Sequence, residues 1–228
     1  MEGMNNSTAV IGSALSTIGG ALILALLVPV YIFMILFYKP LLLEFISKLF
    51  NTKKHAIVGE VLSETKSLVQ NYLMGLLIEA AIVATLNSVG LFILGIKYAL
   101  LIGIIGALLN MIPYIGGLIA ISIPMLMAIA TKSPIDAVWV FLLYMLVQLF
   151  DNNFIVPKIV ASKVQVNALV SILAVLIFGA LWGVVGMFLA IPLTAIVKVI
   201  FDRIAPLEPF GFVIGDNQPD IGKSFFKR

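Results

Sequence analysis

Charged residues interrupt this chain so rarely that the uncharged stretches between them define its elements. The first stretch runs from Ala14 to Tyr38, and the second, from about Leu73 to Ile96, carries the single charge Glu79. The third runs from Tyr98 to Thr131, the fourth from Ala137 to Phe150 and the fifth from Val164 to Val197. About 18 apolar residues with few charges suffice for a transmembrane helix. The pattern therefore predicts an all-α, polytopic integral membrane protein with about five hydrophobic segments. The first segment is too long for a signal peptide and no small-residue cleavage site closes it. Pro29 predicts a kink within it.

The third and fifth stretches carry more information than the others. As a straight helix each would be about 51 Å long at 1.5 Å per residue, against about 30 Å of hydrocarbon. Each must tilt, break or fold back, and each holds helix breakers. The third has Pro113, Tyr114, Gly116 and Gly117, then Pro124; the fifth has Gly183 and Gly186, then Pro192. A shift of 68 positions lays Tyr114 on Trp182, Ile123 on Ile191 and Pro124 on Pro192. Paired, interrupted segments of this kind point to a transporter site, although glycine and proline are also common in ordinary membrane helices. We expect two re-entrant hairpins that enter from opposite faces, with five single crossings as the alternative. The hairpins suit the distribution of basic residues slightly better, because Lys158 and Lys163 then join the cytoplasmic lysines.

Residues 39–71 differ from the rest. Val58, Leu62, Val69 and Tyr72 recur at helical intervals, Glu44 and Lys48 form an i,i+4 pair, and Asn51 and Thr52 are candidate caps. This reads as a pair of amphipathic helices at the membrane surface, cytoplasmic because it holds Lys39, Lys48, Lys53, Lys54 and Lys66. The expected organisation is an extramembrane leader at 1–13, a first span at 14–38, the amphipathic pair at 39–71, a transmembrane core at 72–203 and a cytoplasmic tail at 204–228. Met1 to Ser13 holds no basic residue and ends directly before a span, so the chain reads as the later part of a longer protein.

Composition narrows the function. Hydrophobic residues make up 62% and charged residues 11% of the chain, where a soluble domain carries about 25% charge. Mean hydropathy is +1.18. A soluble enzyme, a nucleic-acid-binding domain and a disordered chain are thereby set aside. The absence of cysteine and the single His55 leave no expected zinc site, no cysteine nucleophile and no serine–histidine–aspartate triad. His55, beside Lys53 and Lys54, reads as a solvated surface residue. No Gly-rich stretch ends in Gly-Lys-Ser/Thr, so there is no phosphate loop.

Ionisable groups inside a bilayer are candidates by default. Glu79 is either a proton or cation carboxylate or an interfacial residue paired with a lysine such as Lys66. Gln148 and Asp151 lie three apart on one helical face, followed by Asn152 and Asn153. These oxygens suit a hard cation such as sodium or a polyhydroxylated solute; the alternative is a capped helix end with Lys158 beside Asp151. Asn110, Pro113 and Tyr114 sit mid-membrane, where a break frees backbone groups for cargo or packs as a kink. Asn87 and Ser88 read as hydrogen-bonding glue between helices.

Four landmarks, in order, resemble the autoinducer-2 exporter family of permeases. They are Ile112-Pro113-Tyr114-Ile115-Gly116; Gln148 with Asp151-Asn152-Asn153 and Pro157; Trp182-Gly183 with Gly186-Met187-Phe188 and Ala190-Ile191-Pro192-Leu193; and Glu208-Pro209-Phe210-Gly211 with Gly215-Asp216. The chain departs from the family where Asn167 is followed by Ala168 rather than proline, and it lacks the family's first spans. The resemblance implies a non-enzymatic, multi-pass secondary transporter of the inner membrane, and the five basic residues from Lys198 to Arg228 place the C-terminus in the cytoplasm. It implies export of a small polar metabolite, with sodium or proton coupling and no resident cofactor, and homo-oligomers in the lipid bilayer. The alternatives are a sodium(lithium)/proton antiporter and a non-transporting membrane scaffold. Taken together, the candidate site residues are Glu79, Asn110, Pro113, Tyr114, Gln148, Asp151, Asn152 and Asn153. The expected structural breaks are Gly116, Gly117, Pro124, Pro157, Gly183, Gly186 and Pro192.

Overall fold

A computed structural model of the chain describes residues 2–160 and 165–217. Met1, the predicted start of the last apolar run at Val164, and the basic end of the tail lie outside the described residues. Every regular element among the described residues is helical: α1 (Glu2–Leu49), α2 (His55–Ile93), α3 (Ala99–Asn110), α4 (Gly116–Thr131), α5 (Pro134–Phe150), a π-helical extension (Asp151–Val160), α6 (Ala168–Asp202) and α7 (Glu208–Ile214). Four segments are long and apolar enough to cross a membrane: Ala25–Leu49, His55–Ile93, Pro134–Ile159 and Ala168–Asp202. The polytopic helical class expected from the sequence is the class observed.

The chain divides into two compact units, Met1–Val58 and Gly59–Arg228. In the first, α1 has 48 residues and runs through Pro29 and Pro40 without interruption. It is about 72 Å long, more than twice the hydrocarbon thickness. Its apolar side chains around Leu26 to Phe45 are exposed, as those of a lipid-facing helix are. The Glu44–Lys48 pair forms, at 2.6 Å. A 3₁₀ turn at Thr52–Lys54 follows, and His55 secures it by donating from Nε2 to the carbonyls of Ser47 and Phe50 at 2.9 and 3.0 Å. Asn51 and Thr52 bond to each other instead of to backbone amides.

The amphipathic pair expected at 39–71 is therefore the end of α1 and the start of α2. Helix α2 runs from His55 to Ile93 without a break, so the stretch read as a separate surface helix and the second apolar run are one element. Within 58–72 the inward stripe runs through Val58, Val61, Thr65, Leu68, Val69 and Tyr72, and Leu62 is exposed.

In the second unit both long apolar runs fold back on themselves. The first hairpin is α3–α4. Pro113 supplies no amide, Tyr114 takes φ +66°, and the turn closes through Ile115 N–H to Pro113 O and Gly116 N–H to Ile112 O. Lys132, just beyond α4, donates from Nζ to the Leu94 carbonyl just before α3, so both ends of this run lie together. The second hairpin is α6, bent at Gly183, whose φ 62° and ψ −141° are outside the helical range. Ala174 and Val175 of its first arm pack on Ala190 of its second, with Phe178, Met187 and Ile191 alongside. Neither run is a single straight helix.

Gly116 and Gly186 serve the same purpose in the two hairpins. A Cβ at Gly116 would stand 1.9 Å from the Leu109 carbonyl oxygen, and one at Gly186 would stand 1.9 Å from the Phe178 carbonyl oxygen. Only glycine lets the second arm leave the turn so close to the first. Pro124, Pro157 and Pro192, expected as breaks, lie inside continuous helices. A proline removes one backbone bond, which neighbouring groups re-satisfy in packed membrane helices; the breaks come instead at positive φ.

The core of this unit joins α2, both arms of the first hairpin and α5 through Leu91, Ile102, Ala120, Ala128 and Val140. Small residues allow close approach: Gly103 faces the Ser88 backbone, and Ser88 Oγ donates to the Leu100 carbonyl.

Candidate functional site

Four elements converge on the polar centre of the second unit. Asp151 opens the π-helical extension of α5 and is 1% exposed. Two local features account for that change of helix type. Pro157 cannot donate to residue 153, and Asn153 Nδ2 donates to the Leu149 carbonyl at 2.7 Å, competing with the backbone for it. Such π segments recur at functional sites. Asn110, the last residue of α3, donates from Nδ2 to Asp151 Oδ2 at 3.2 Å, which ties the first hairpin's turn to the end of α5. Gln148 donates from Nε2 to Asn152 Oδ1 at 3.2 Å.

Glu79 lies on α2, buried at 6% exposure. None of the ion pairs among the described residues involves it, so the alternative of a lysine partner such as Lys66 is not seen among them. A cavity of about 820 Å³ is lined by Glu79, Asn110, Pro113, Tyr114, Gln148, Asp151 and Asn152, together with Tyr72, Tyr144, Ser171 and Asp216. Asn153 does not line it; its amide is spent on the helix backbone. Tyr114 is 56% exposed, and its positive φ is strained for a residue with a bulky side chain. Gly117 also lines the cavity, whereas Gly183 and Gly186 shape the second hairpin.

Some lining residues carried little sequence signal. Tyr144 precedes Gln148 by one helical turn, so its face was legible. Ser171 and Asp216 were not, because they arrive through a tertiary contact. Asn167 caps α6, its Oδ1 accepting from Val170 N–H at 2.9 Å. Its Nδ2 lies within hydrogen-bonding distance of the carbonyls of Val213, Ile214 and Gly215 at the end of α7. One amide thus serves the start of one helix and the end of another, and the chain emerging from α7 carries Asp216 to the cavity wall.

Two buried carboxylates among amides, hydroxyls and aromatic rings form a site that binds by oxygen and hydrogen bonding. No group of three or more histidine, cysteine, aspartate or glutamate side chains gathers among the described residues. Buried charge amid apolar helices is retained where solute or ion pathways need it.

Long apolar helices and two glycine-hinged hairpins, with a mainly apolar cavity between them that carries a few polar side chains, define a multi-pass α-helical membrane protein. The sequence profile described as "AI-2E family transporter" matches residues 2–205. The chain belongs to the AI-2E transporter family. It is 30% identical over 196 residues to PerM of Escherichia coli K12, which is named as a permease, covering 84% of this chain and 55% of PerM. It is 32% identical over 136 residues to YueF of Bacillus subtilis, named as a transport protein, covering 60% of this chain and 37% of YueF. It is 30% identical over 123 residues to the AI-2 transport protein TqsA of E. coli K12, covering 54% of this chain and 36% of TqsA. The chain thus spans between about a third and about half the length of these relatives.

Proposed function

We propose that the chain is the transport unit of a secondary transporter in the bacterial cytoplasmic membrane, moving a small polar solute through the cavity between the two hairpins. The observation that carries this reading is the placement of Glu79 and Asp151, both buried, on the wall of an 820 Å³ cavity. That volume is in the range of about 300–1,000 Å³ typical of small-molecule sites. Alternating access operates around the broken helices, driven by an ion gradient. The name of TqsA supports an autoinducer-2-like signal as cargo, exported toward the outside. The C-terminus faces the cytoplasm, the protein works as a homo-oligomer, and no enzymatic step is involved.

A second reading, sodium(lithium)/proton antiport, is favoured by the same two carboxylates, which can bind a cation and a proton in turn. Reconstitution of the full chain in proteoliposomes decides between them. Asp151→Asn and Gln148→Ala should abolish gradient-driven flux of the polar solute while leaving membrane insertion intact. Normal flux in both variants would sink the proposed site. Flux of sodium or lithium without solute would select the antiporter, and no flux of either kind would leave a membrane scaffold.

A further inference from the structure

The large cavity has two kinds of wall. One side is polar: Glu79, Tyr144 and Asp151 are buried there, with Asn110 and Gln148 beside them. The other side is apolar and open. Leu118 of α4 is 71% exposed, and Phe141 and Met145 of α5 are 42% and 47% exposed, yet all three line the same cavity. Along α5 the lining passes from Phe141 through Met145 to Gln148, at spacings of four and three residues. One helix face therefore carries the cavity from its open rim to its polar wall.

The depth of that rim identifies what it opens onto. The middle of the crossing segment Pro134–Ile159 falls between Leu146 and Val147. With the segment centred in the bilayer, Phe141 stands about 8 Å from the midplane at 1.5 Å per residue, and Met145 and Gln148 lie closer. The hydrocarbon extends about 15 Å to either side, so the rim faces lipid chains. A solute that hydrogen-bonds over its whole surface would have to shed its water there, which is costly for every group left unpaired. A molecule with an apolar body escapes most of that cost. At the polar wall, the Tyr144 hydroxyl and Asp151 Oδ1 have no hydrogen-bond partner among the described residues. Both line a recess of about 10 Å³, room for one oxygen-sized group. A single hydroxyl serves both, accepting from Tyr144 and donating to Asp151, in the place one water would take.

We propose that the cavity takes a small hydroxyl-bearing amphiphile sideways from the bilayer. The molecule enters past Leu118, Phe141 and Met145, its hydroxyl reaches the recess between Tyr144 and Asp151, and its apolar body stays along the rim. A cavity of about 820 Å³ walled mainly by apolar side chains, with a few placed polar groups, suits such a molecule. The proposal narrows the small polar solute of the transport reading to one with an apolar body, and it rests on that reading for the molecule's being cargo; binding from the lipid side does not.

Tryptophan reporters in the full chain, reconstituted in proteoliposomes, test the route and the site. Trp139 and Trp182 are the two native tryptophans, and both are first replaced by phenylalanine. A reporter introduced as Phe141→Trp should be quenched by phospholipid brominated at mid-chain and not by aqueous iodide. A second, Ile121→Trp on the cavity wall, should be quenched saturably by a bromine-ended undecanol, with plain undecanol competing and ribose not. Met145→Trp takes its place if that variant is not monodisperse. Tyr144→Phe should weaken the apparent affinity about tenfold and leave the bromolipid quenching at position 141 unchanged. Quenching at 141 by iodide would mean that the rim faces water. Quenching by neither reagent would mean that another helix or a second copy covers it. Either result overturns the proposal, as does bromoundecanol quenching that never saturates or ignores Tyr144→Phe. The two readings fail separately. Flux of ribose without undecanol binding removes the amphiphile alone, and undecanol binding without gradient-driven flux of any solute removes the transport function alone.

Discussion

At the scale of single residues, the backbone decides more than the side chains do. Gly116 and Gly186 are fixed by carbonyl oxygens that any Cβ would strike. Gly59 has no atom within 4 Å of its Cβ position and sits near the exposed start of α2. Gly186→Ala should therefore destabilise the protein by about 1–3 kcal/mol through overpacking. Gly59→Ala should be neutral or slightly stabilising, since alanine is the better helix former. Thermal melting of the two variants in one detergent checks the contrast, and equal melting points would contradict the hairpin geometry. The glycines were legible as breakers in the sequence, but which of them act was not, because that depends on a carbonyl seven or eight residues away. The prolines misled for the converse reason. Pro124 and Pro192 stand in arms already held by packing, where one missing amide does not end a helix.

At the scale of elements, the hairpins were readable from uncharged length together with the breakers inside it; length alone does not suffice, since α1 and α2 are longer still and do not fold back. The surface helices were not readable as separate elements, since apolar spacing around Val58 to Tyr72 continues directly into the span. Asn167 shows what sequence inspection misses. Its spacing from α7 is 46 to 48 residues, and nothing local announces the contact. Asn167→Ala should lose the α6 cap, worth about 0.5–2 kcal/mol, and should also release α7. Limited proteolysis near Phe210 to Gly215 should then proceed much faster than in the wild type, and an unchanged cleavage rate would show that α7 is held by other contacts. At the same end of the unit, Arg203 binds both Glu60 and Glu64 of α2. Long-range pairs of that kind also leave no trace in the sequence pattern.

For the whole molecule, the two hairpins have their open ends at opposite ends of the Pro134–Ile159 helix, which at 26 residues is about 39 Å long. The chain has no cysteine, so single cysteines report cleanly. Cysteines at Ser133 and at Gln165 should react with an impermeant thiol reagent from opposite faces of the membrane, with 133 labelled in intact cells and 165 protected. Labelling of both from one face would remove the opposed arrangement. The polar centre was largely legible because charge is so scarce: Glu79 and Asp151 stood out in apolar surroundings, and Asn110, Gln148 and Asn152 fell on the same wall. Asp216 escaped assignment because it comes from a distant turn.

The second hairpin is held very differently at its two ends. Its root is fastened by the Asn167 amide to the end of α7, while at the bend no side chain or backbone other than the adjoining residues lies within 4 Å of the place a Gly183 Cβ would take. A beam clamped at one end and unsupported at the other deflects most at its free end. Displacement should accordingly grow from Asn167 toward Gly183, so a spin label at Trp182 would record wide excursions that one at Leu169 does not share.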